Sequence, residues 1–174
     1  MQVHGMDGDY AGIGASAHTH VISVWVEDKF GVLQRVGGVF SRRGFNISSI
    51  TVGTTEQEGV SRMTVVTHGD DAVIEKMIKQ LNKLIEVVKV VELEQGCTGR
   101  ELVLAKIHMK DHFVLSELMN YTKIFGGKIV SARKRTLTVE IAGGPQKIDE
   151  FLELVKPFGI KELVRTGLSA ISRD

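Results

Sequence analysis

Between Val24 and Ile47 the chain passes from a β-branched run to a helical spacing and back, which limits what it can fold into. The first run ends at Glu27-Asp28, and a short turn leads to Gly31. Leu33, Val36, Gly37 and Phe40 then fall at i, i+3, i+4 and i+7, which predicts one buried helix face over about residues 31–43. Gly44 stops the helix, and Asn46-Ile47 opens a second strand. This strand–turn–helix–strand unit leaves free backbone N–H groups and a bare glycine beside a carboxylate. Such a pocket suits a small zwitterion whose own carboxylate sits at the helix N-terminus.

The same grammar continues. Strand one covers about residues 20–27 and strand two runs from Asn46 to about Thr54. Glu56-Gln57-Glu58-Gly59 makes a polar hairpin turn into strand three, Val60–His68, where Met63 and Val65 are expected inside and Arg62 and Thr64 outside. A helix after Gly69-Asp70 should bury Ile74, Met77, Ile78 and Leu81, and Ile85–Leu93 reads as strand four. The order is βαββαβ. It then repeats: a strand near 101–109, a helix burying Leu115, Leu118, Met119 and Phe125, and strands near 128–133 and 136–142. Pro145 starts a helix carrying Ile148, Phe151, Leu152 and Val155, and a last strand lies near 160–168.

The fold class is therefore α+β, with two ferredoxin-like βαββαβ domains. The expected divisions are a flexible tail over 1–19, a first domain over 20–94, a linker over 95–99 and a second domain over 100–174. Gly12-Ile13-Gly14-Ala15 in the tail has no strand before it, so a dinucleotide-binding loop is dismissed.

An offset of 82 sets Leu33 on Leu115, Val36 on Leu118, Gly44 on Gly126 and Ile47 on Ile129. At the pocket the two copies part. Asp28 falls on Lys110, Gly31 on Phe113 and Asn46 on Lys128, so a ligand site is expected in the first domain only.

Several function classes recede on composition. The 22 basic and 21 acidic residues nearly cancel, which is not the footprint of a dedicated nucleic-acid binder. RNA-recognition motifs share the topology, but their stacking aromatics are missing: strand three offers Arg62, Thr64 and Val66, and strand one only Trp25. No run approaches the ~18 apolar residues a bilayer demands, and no secretory leader is visible. A lone Cys97 fits a reducing compartment. The expected location is the cytoplasm, or a plastid in a plant. His108 and His112 lack a third ligand, so no metal is expected, and no acid/base pair or nucleophile marks an enzyme.

The first unit resembles an ACT domain, a βαββαβ module that senses small molecules, usually amino acids. The likeness sharpens in four ordered blocks: Asp-Lys-Phe-Gly-Val-Leu-Gln-Arg-Val at 28–36, Phe-Ser-Arg-Arg-Gly-Phe-Asn-Ile at 40–47, Ser-Arg-Met-Thr at 61–64 and Lys-Gln-Leu-Asn-Lys-Leu at 79–84. Together they resemble the regulatory small subunit of acetohydroxyacid (acetolactate) synthase, over roughly residues 20–172.

That resemblance implies a non-catalytic subunit that activates a separate large subunit and confers feedback inhibition by valine, leucine or isoleucine. It implies no cofactor here; thiamine diphosphate, Mg and FAD belong to the catalytic partner. It further implies a homodimer with amino-acid sites at the seam of two ACT sheets. Asp28, Phe30, Gly31 and Val32 would then come from one protomer, Asn46 and Ile47 from the other. The ligand carboxylate would accept from the Gly31 and Val32 amides, Asp28 would pair with the ammonium, and the side chain would sit among Val32, Val36 and Ile47. Many bacterial members carry Asn where this chain has Asp28; the acid suits the ammonium but adds negative charge near the ligand carboxylate. The alternative is a stand-alone ACT-type sensor acting on another enzyme or regulator. A plainer reading of Gly31 and Asp28 also stands, as a turn glycine and a helix-cap neighbour.

Overall fold

The computed structural model describes residues 18–42, 44–94 and 97–173. Most of the expected tail, with its glycine run, lies outside them, as do residues 95 and 96 of the expected linker. The chain divides into two compact units at the Cys97–Thr98 junction.

The first unit follows the order β1 (His18–Glu27), α1 (Val32–Arg42), β2 (Ile47–Thr54), β3 (Val60–Gly69), α2 (Asp71–Leu81), β4 (Val87–Leu93). Its strands form one antiparallel sheet in the order β2-β3-β1-β4. Ile22, Val24 and Val26 of β1 and Met63 and Val65 of β3 form the sheet side of the core. Val32, Val36, Val39 and Phe40 of α1 and Ile74, Met77 and Leu81 of α2 close over them. The helix ends are chemically defined. Asp70 caps α2 by accepting from the Ala72 amide at 2.9 Å. Gly44, at φ +70°, ends α1 in a left-handed turn that sends the Phe45 amide back to the Phe40 carbonyl at 3.1 Å.

Four expectations shift. The first strand begins at His18, so the tail ends earlier than position 19. The buried stripe of α1 is Val32, Val36, Val39 and Phe40, while Leu33 is 50% exposed. The helix starts one residue later than the spacing suggested, and Val39, not Gly37, completes the inward face. On β3, Thr64 and Val66 are buried together with Met63 and Val65. This strand lies inside the sheet, with Thr64 flanked by Ser23 and Thr51 and Val66 by Val21 and Ser49, so neighbours shield both of its faces. Ile85 is 94% exposed and precedes β4 instead of opening it.

The second unit repeats the plan with β5 (Thr98–His108), α3 (His112–Ile124), β6 (Lys128–Arg133), β7 (Thr136–Gly143), α4 (Pro145–Val155), a 3-10 turn at Lys156–Phe158 and β8 (Ile160–Arg165). The order is β6-β7-β5-β8, and a short β9 (Ser169–Ile171) pairs with the start of β5. Thr98 and Gly99, expected in the linker, belong to that strand. Val103, Ala105 and Ile107, with Leu137, Val139 and Ile141, pack on Leu118, Ile148, Phe151 and Val155. Phe125 meets Phe151 edge-on at 5.5 Å between ring centroids. Met119 is 49% exposed, and Thr122 takes the inward place beside Leu118. Beside the core, Glu101 is nearly buried and ion-paired with Arg165, which also binds Asp149 at 2.7 Å. Burial opposes the Arg165 charge, but the hydrogen bonds to Glu101 and Asp149 outweigh it and hold the guanidinium above its ordinary range.

Candidate amino-acid site at the start of the first helix

Where β1 hands the chain to α1, the backbone turns sharply. The Asp28 amide donates to the Gly59 carbonyl at 2.8 Å, which pins the loop to the neighbouring hairpin. Asp28 is exposed, and Lys29 turns its ammonium onto Glu27 at 2.7 Å. That hydrogen bond and the Glu27 charge raise the Lys29 pKa. Gly31 has φ +79°, a conformation that costs an L-residue roughly 1–2 kcal/mol.

The first turn of α1 is left open. The Val32 amide reaches the Lys29 carbonyl only at 3.4 Å, and the Arg35 amide donates to Gly31 at 3.0 Å. Among the described residues, no acceptor meets the amides of Gly31, Leu33 and Gln34, and no side chain caps the helix. Free N–H groups at a helix start are an anion site in waiting. Arg35 stands over this turn. Its Nη2 donates to the Phe30 carbonyl at 3.4 Å and pairs with Glu86 at 2.9 Å. A Cβ built on Gly31 would meet the Arg35 guanidinium at 3.5 Å, ordinary contact. Left-handed backbone, then, not lack of room, demands glycine there.

The expected residues separate into two places. Asp28, Phe30, Gly31 and Val32 share the loop and helix start. Phe30 is fully exposed, whereas Val32 is 2% exposed and faces the core, so only its backbone can reach a ligand. Val36, expected beside the ligand side chain, is likewise a core residue. Asn46 and Ile47 lie at the far end of β3: the Asn46 carbonyl accepts from Thr67 Oγ1 at 2.8 Å, and Ile47 packs partly against the core. Gly59, which holds Asp28, comes just before β3, and Thr67, which holds Asn46, is seven residues along that strand from Val60, roughly 23 Å at the usual rise. A single copy does not bring the two groups together.

Arg35 was the missing member. Its signal was the Gly31-Val32-Leu33-Gln34-Arg35 spacing, which puts a cation one turn after the glycine. Glu86, its partner, comes from the loop before β4 and had no signal in the local pattern. The groove between α1 and α2, about 290 Å³ and lined by Val39, Arg42, Gln80, Lys83 and Leu84, includes none of the expected residues. Among the described residues, no group of three His, Cys, Asp or Glu side chains is placed to hold a metal ion. No described helix is long and apolar enough to cross a membrane.

Known proteins share this sequence and fold. The model of the AHAS small subunit-like ACT domain matches residues 22–89, and that of the small subunit of acetolactate synthase matches residues 100–174. The chain is 55% identical to a Methanothermobacter thermautotrophicus protein named probable acetolactate synthase small subunit, across 89% of this chain and 93% of that one. It is 44% identical to the acetolactate synthase small subunit of Mycolicibacterium smegmatis, across 89% and 91% respectively. The crystal structure of the acetolactate synthase small subunit from Thermotoga maritima superposes with a TM-score of 0.84 at 38% identity, covering 90% of this chain and 98% of that one. On this evidence the chain belongs to the acetolactate synthase small-subunit family, its first half an ACT domain.

Proposed function

We propose that this small subunit regulates a separate catalytic subunit of acetolactate synthase in answer to a branched-chain amino acid. The amino acid is held at the α1 start of one copy against the β2 start of a second copy. The observation that carries this reading is the first turn of α1, where three amides lack an acceptor among the described residues, beside Gly31 and Arg35.

The chemistry divides by charge. The ligand carboxylate accepts from the Gly31, Leu33 and Gln34 amides, where the helix dipole adds about 0.3–1 kcal/mol, and from the Arg35 guanidinium. Asp28 pairs with the ammonium. With Asn46 and Ile47 roughly 23 Å away by the strand count, a two-copy seam is the arrangement that lets them share the ligand. Since both copies touch it, binding favours one dimer arrangement over another, as a regulatory coupling requires. Valine, leucine or isoleucine is the inferred effector class. The chain supplies no catalytic group in this reading; thiamine diphosphate, Mg and FAD are assigned to the large subunit.

The test is thermal unfolding of the purified chain with L-valine, and with D-valine as control. At a hundred times the dissociation constant, binding adds about 2.7 kcal/mol to stability. A saturable, L-specific rise that disappears in Arg35→Gln supports the site. A rise that survives unchanged in both Arg35→Gln and Asp28→Ala moves the site elsewhere.

A further inference from the structure

We propose that the basic end of the second unit, centred on the β6–β7 hairpin, is a docking surface for an acidic patch on the catalytic subunit. The inference rests on the small-subunit reading above and adds where the partner is met.

The hairpin turns at Lys134 and Arg135, with Arg133 paired to Thr136 at its base. All three cations are exposed, and none has an ionic partner among the described residues. Met109 ties the end of β5 to the tip through its amide and the Arg135 carbonyl at 2.9 Å, which puts exposed Lys110 at the same end of the sheet. Lys161, at the start of β8, is exposed and likewise without an ionic partner. The acids nearby offset this positive charge only in part: Glu162 is paired with Lys106, and Asp111, which caps α3, sets one negative charge beside Lys110, so this end stays net positive among the described residues.

Nothing in the fold asks for these residues. A two-residue hairpin favours Asn-Gly, yet this one places two long cations in the turn with no positive φ at either. Three adjacent like charges also repel one another. A local choice that opposes both turn chemistry and charge balance, with no ion pair to the hairpin cations among the described residues, points to a use outside the unit. Phe113, 70% exposed in the first turn of α3 just beyond β5, adds an aromatic to the same end. Arginine and exposed aromatics are the composition of protein interfaces. A hairpin tip is convex, while small anions are held in concave sites. The matching hairpin of the first unit carries Glu56 and Glu58, so the charge distinguishes this one end and does not follow from the fold.

The test measures association of the full chain with its cognate catalytic subunit across a salt series. The Arg133→Gln/Lys134→Gln/Arg135→Gln variant is compared with wild type. Association is expected to slow by roughly tenfold and to lose much of its salt dependence, as charge steering predicts. The thermal midpoint and the L-valine response should not change, and Glu56→Gln/Glu58→Gln should not slow association. Equal rates and equal salt slopes for the triple variant and wild type overturn the proposal. Unchanged association with loss of self-association in sedimentation also overturns it, and assigns the surface to a second copy. Failure of the wild type to associate at all removes the proposed pairing with a catalytic subunit on which this inference rests, a result seen before any substitution is made.

Discussion

The two units are near copies in backbone and opposites at one end. Both sheets have the same strand order, and their first helices end alike. Gly44 and Gly126 adopt φ +70° and +61°, and the amides of Phe45 and Gly127 return to the carbonyls of Phe40 and Thr122. Even the irregularity in the third pairing recurs, between Ile47 and Ser49 in one and Ile129 and Ser131 in the other. The helix starts differ. In the second unit, Asp111 caps α3 by accepting from the Val114 amide at 2.9 Å. In the first, Gly31 leaves α1 uncapped under Arg35. One copy satisfies its first turn with its own carboxylate; the other holds that turn open, which is what a borrowed carboxylate needs. The comparison teaches that one scaffold can close the first turn of its helix or leave it open without any change of fold.

The largest expected effect tests whether the two units are independent in this respect. Phe151 is fully buried in the second core, and Phe151→Ala should cost about 3–5 kcal/mol in denaturant unfolding. If the binding turn belongs to the first unit alone, the L-valine shift persists in the folded fraction. Loss of that shift would tie the site to the second unit.

Gly31→Asp comes next. It places a carboxylate where the ligand's own would sit, and Asp is among the side chains that best tolerate left-handed backbone. The variant should lose the whole ligand-induced stabilisation, about 2.7 kcal/mol at a hundred times the dissociation constant, while still activating the catalytic subunit. Retained sensitivity in a feedback assay would reject the assignment of the ligand to this turn.

Removing the cap from the second copy should matter less. Asp111→Ala should destabilise that unit by about 1 kcal/mol, measured by urea unfolding, and should not create amino-acid binding because Phe113 stands where Gly31 does. The smallest effect is electrostatic. The Lys106 hydrogen bond holds the Glu162 carboxyl below its ordinary value of 4.5. A depressed carboxylate stabilises above its unfolded pKa and loses that contribution as pH falls through the folded one. The acid limb of a stability–pH curve should therefore flatten slightly in Glu162→Gln, and rising pH above neutrality should show no difference from this pair.

Much of this was legible in the residues. The switch between helical and extended spacing marked all twelve main elements, and Gly44 and Gly126 marked matching helix ends. Short-range pattern failed where neighbours decide. Leu33 fits an apolar stripe as well as Val39 does, until the helix start is known to lie at Val32. Thr64 and Val66 look outward on β3 until β1 and β2 are set on either side. Of the site, Asp28 and Gly31 were readable because a turn glycine beside an acid is a local signal. Glu86 was not, since 51 residues separate it from the arginine it holds.

Residue order alone determined two βαββαβ units, their helix stops, and a pocket grammar present in the first and absent from the second, because these depend on periodicities and caps within a few positions. Tertiary structure decided that Val32 and Val36 belong to the core, that Arg35 leans over the open turn, and that Asp28 and Asn46 stand at opposite ends of β3. Those outcomes depend on which strands pair and which faces the helices cover, and the pairing of strands distant in sequence, such as β1 with β3 and β4, is decided by packing that no local spacing encodes.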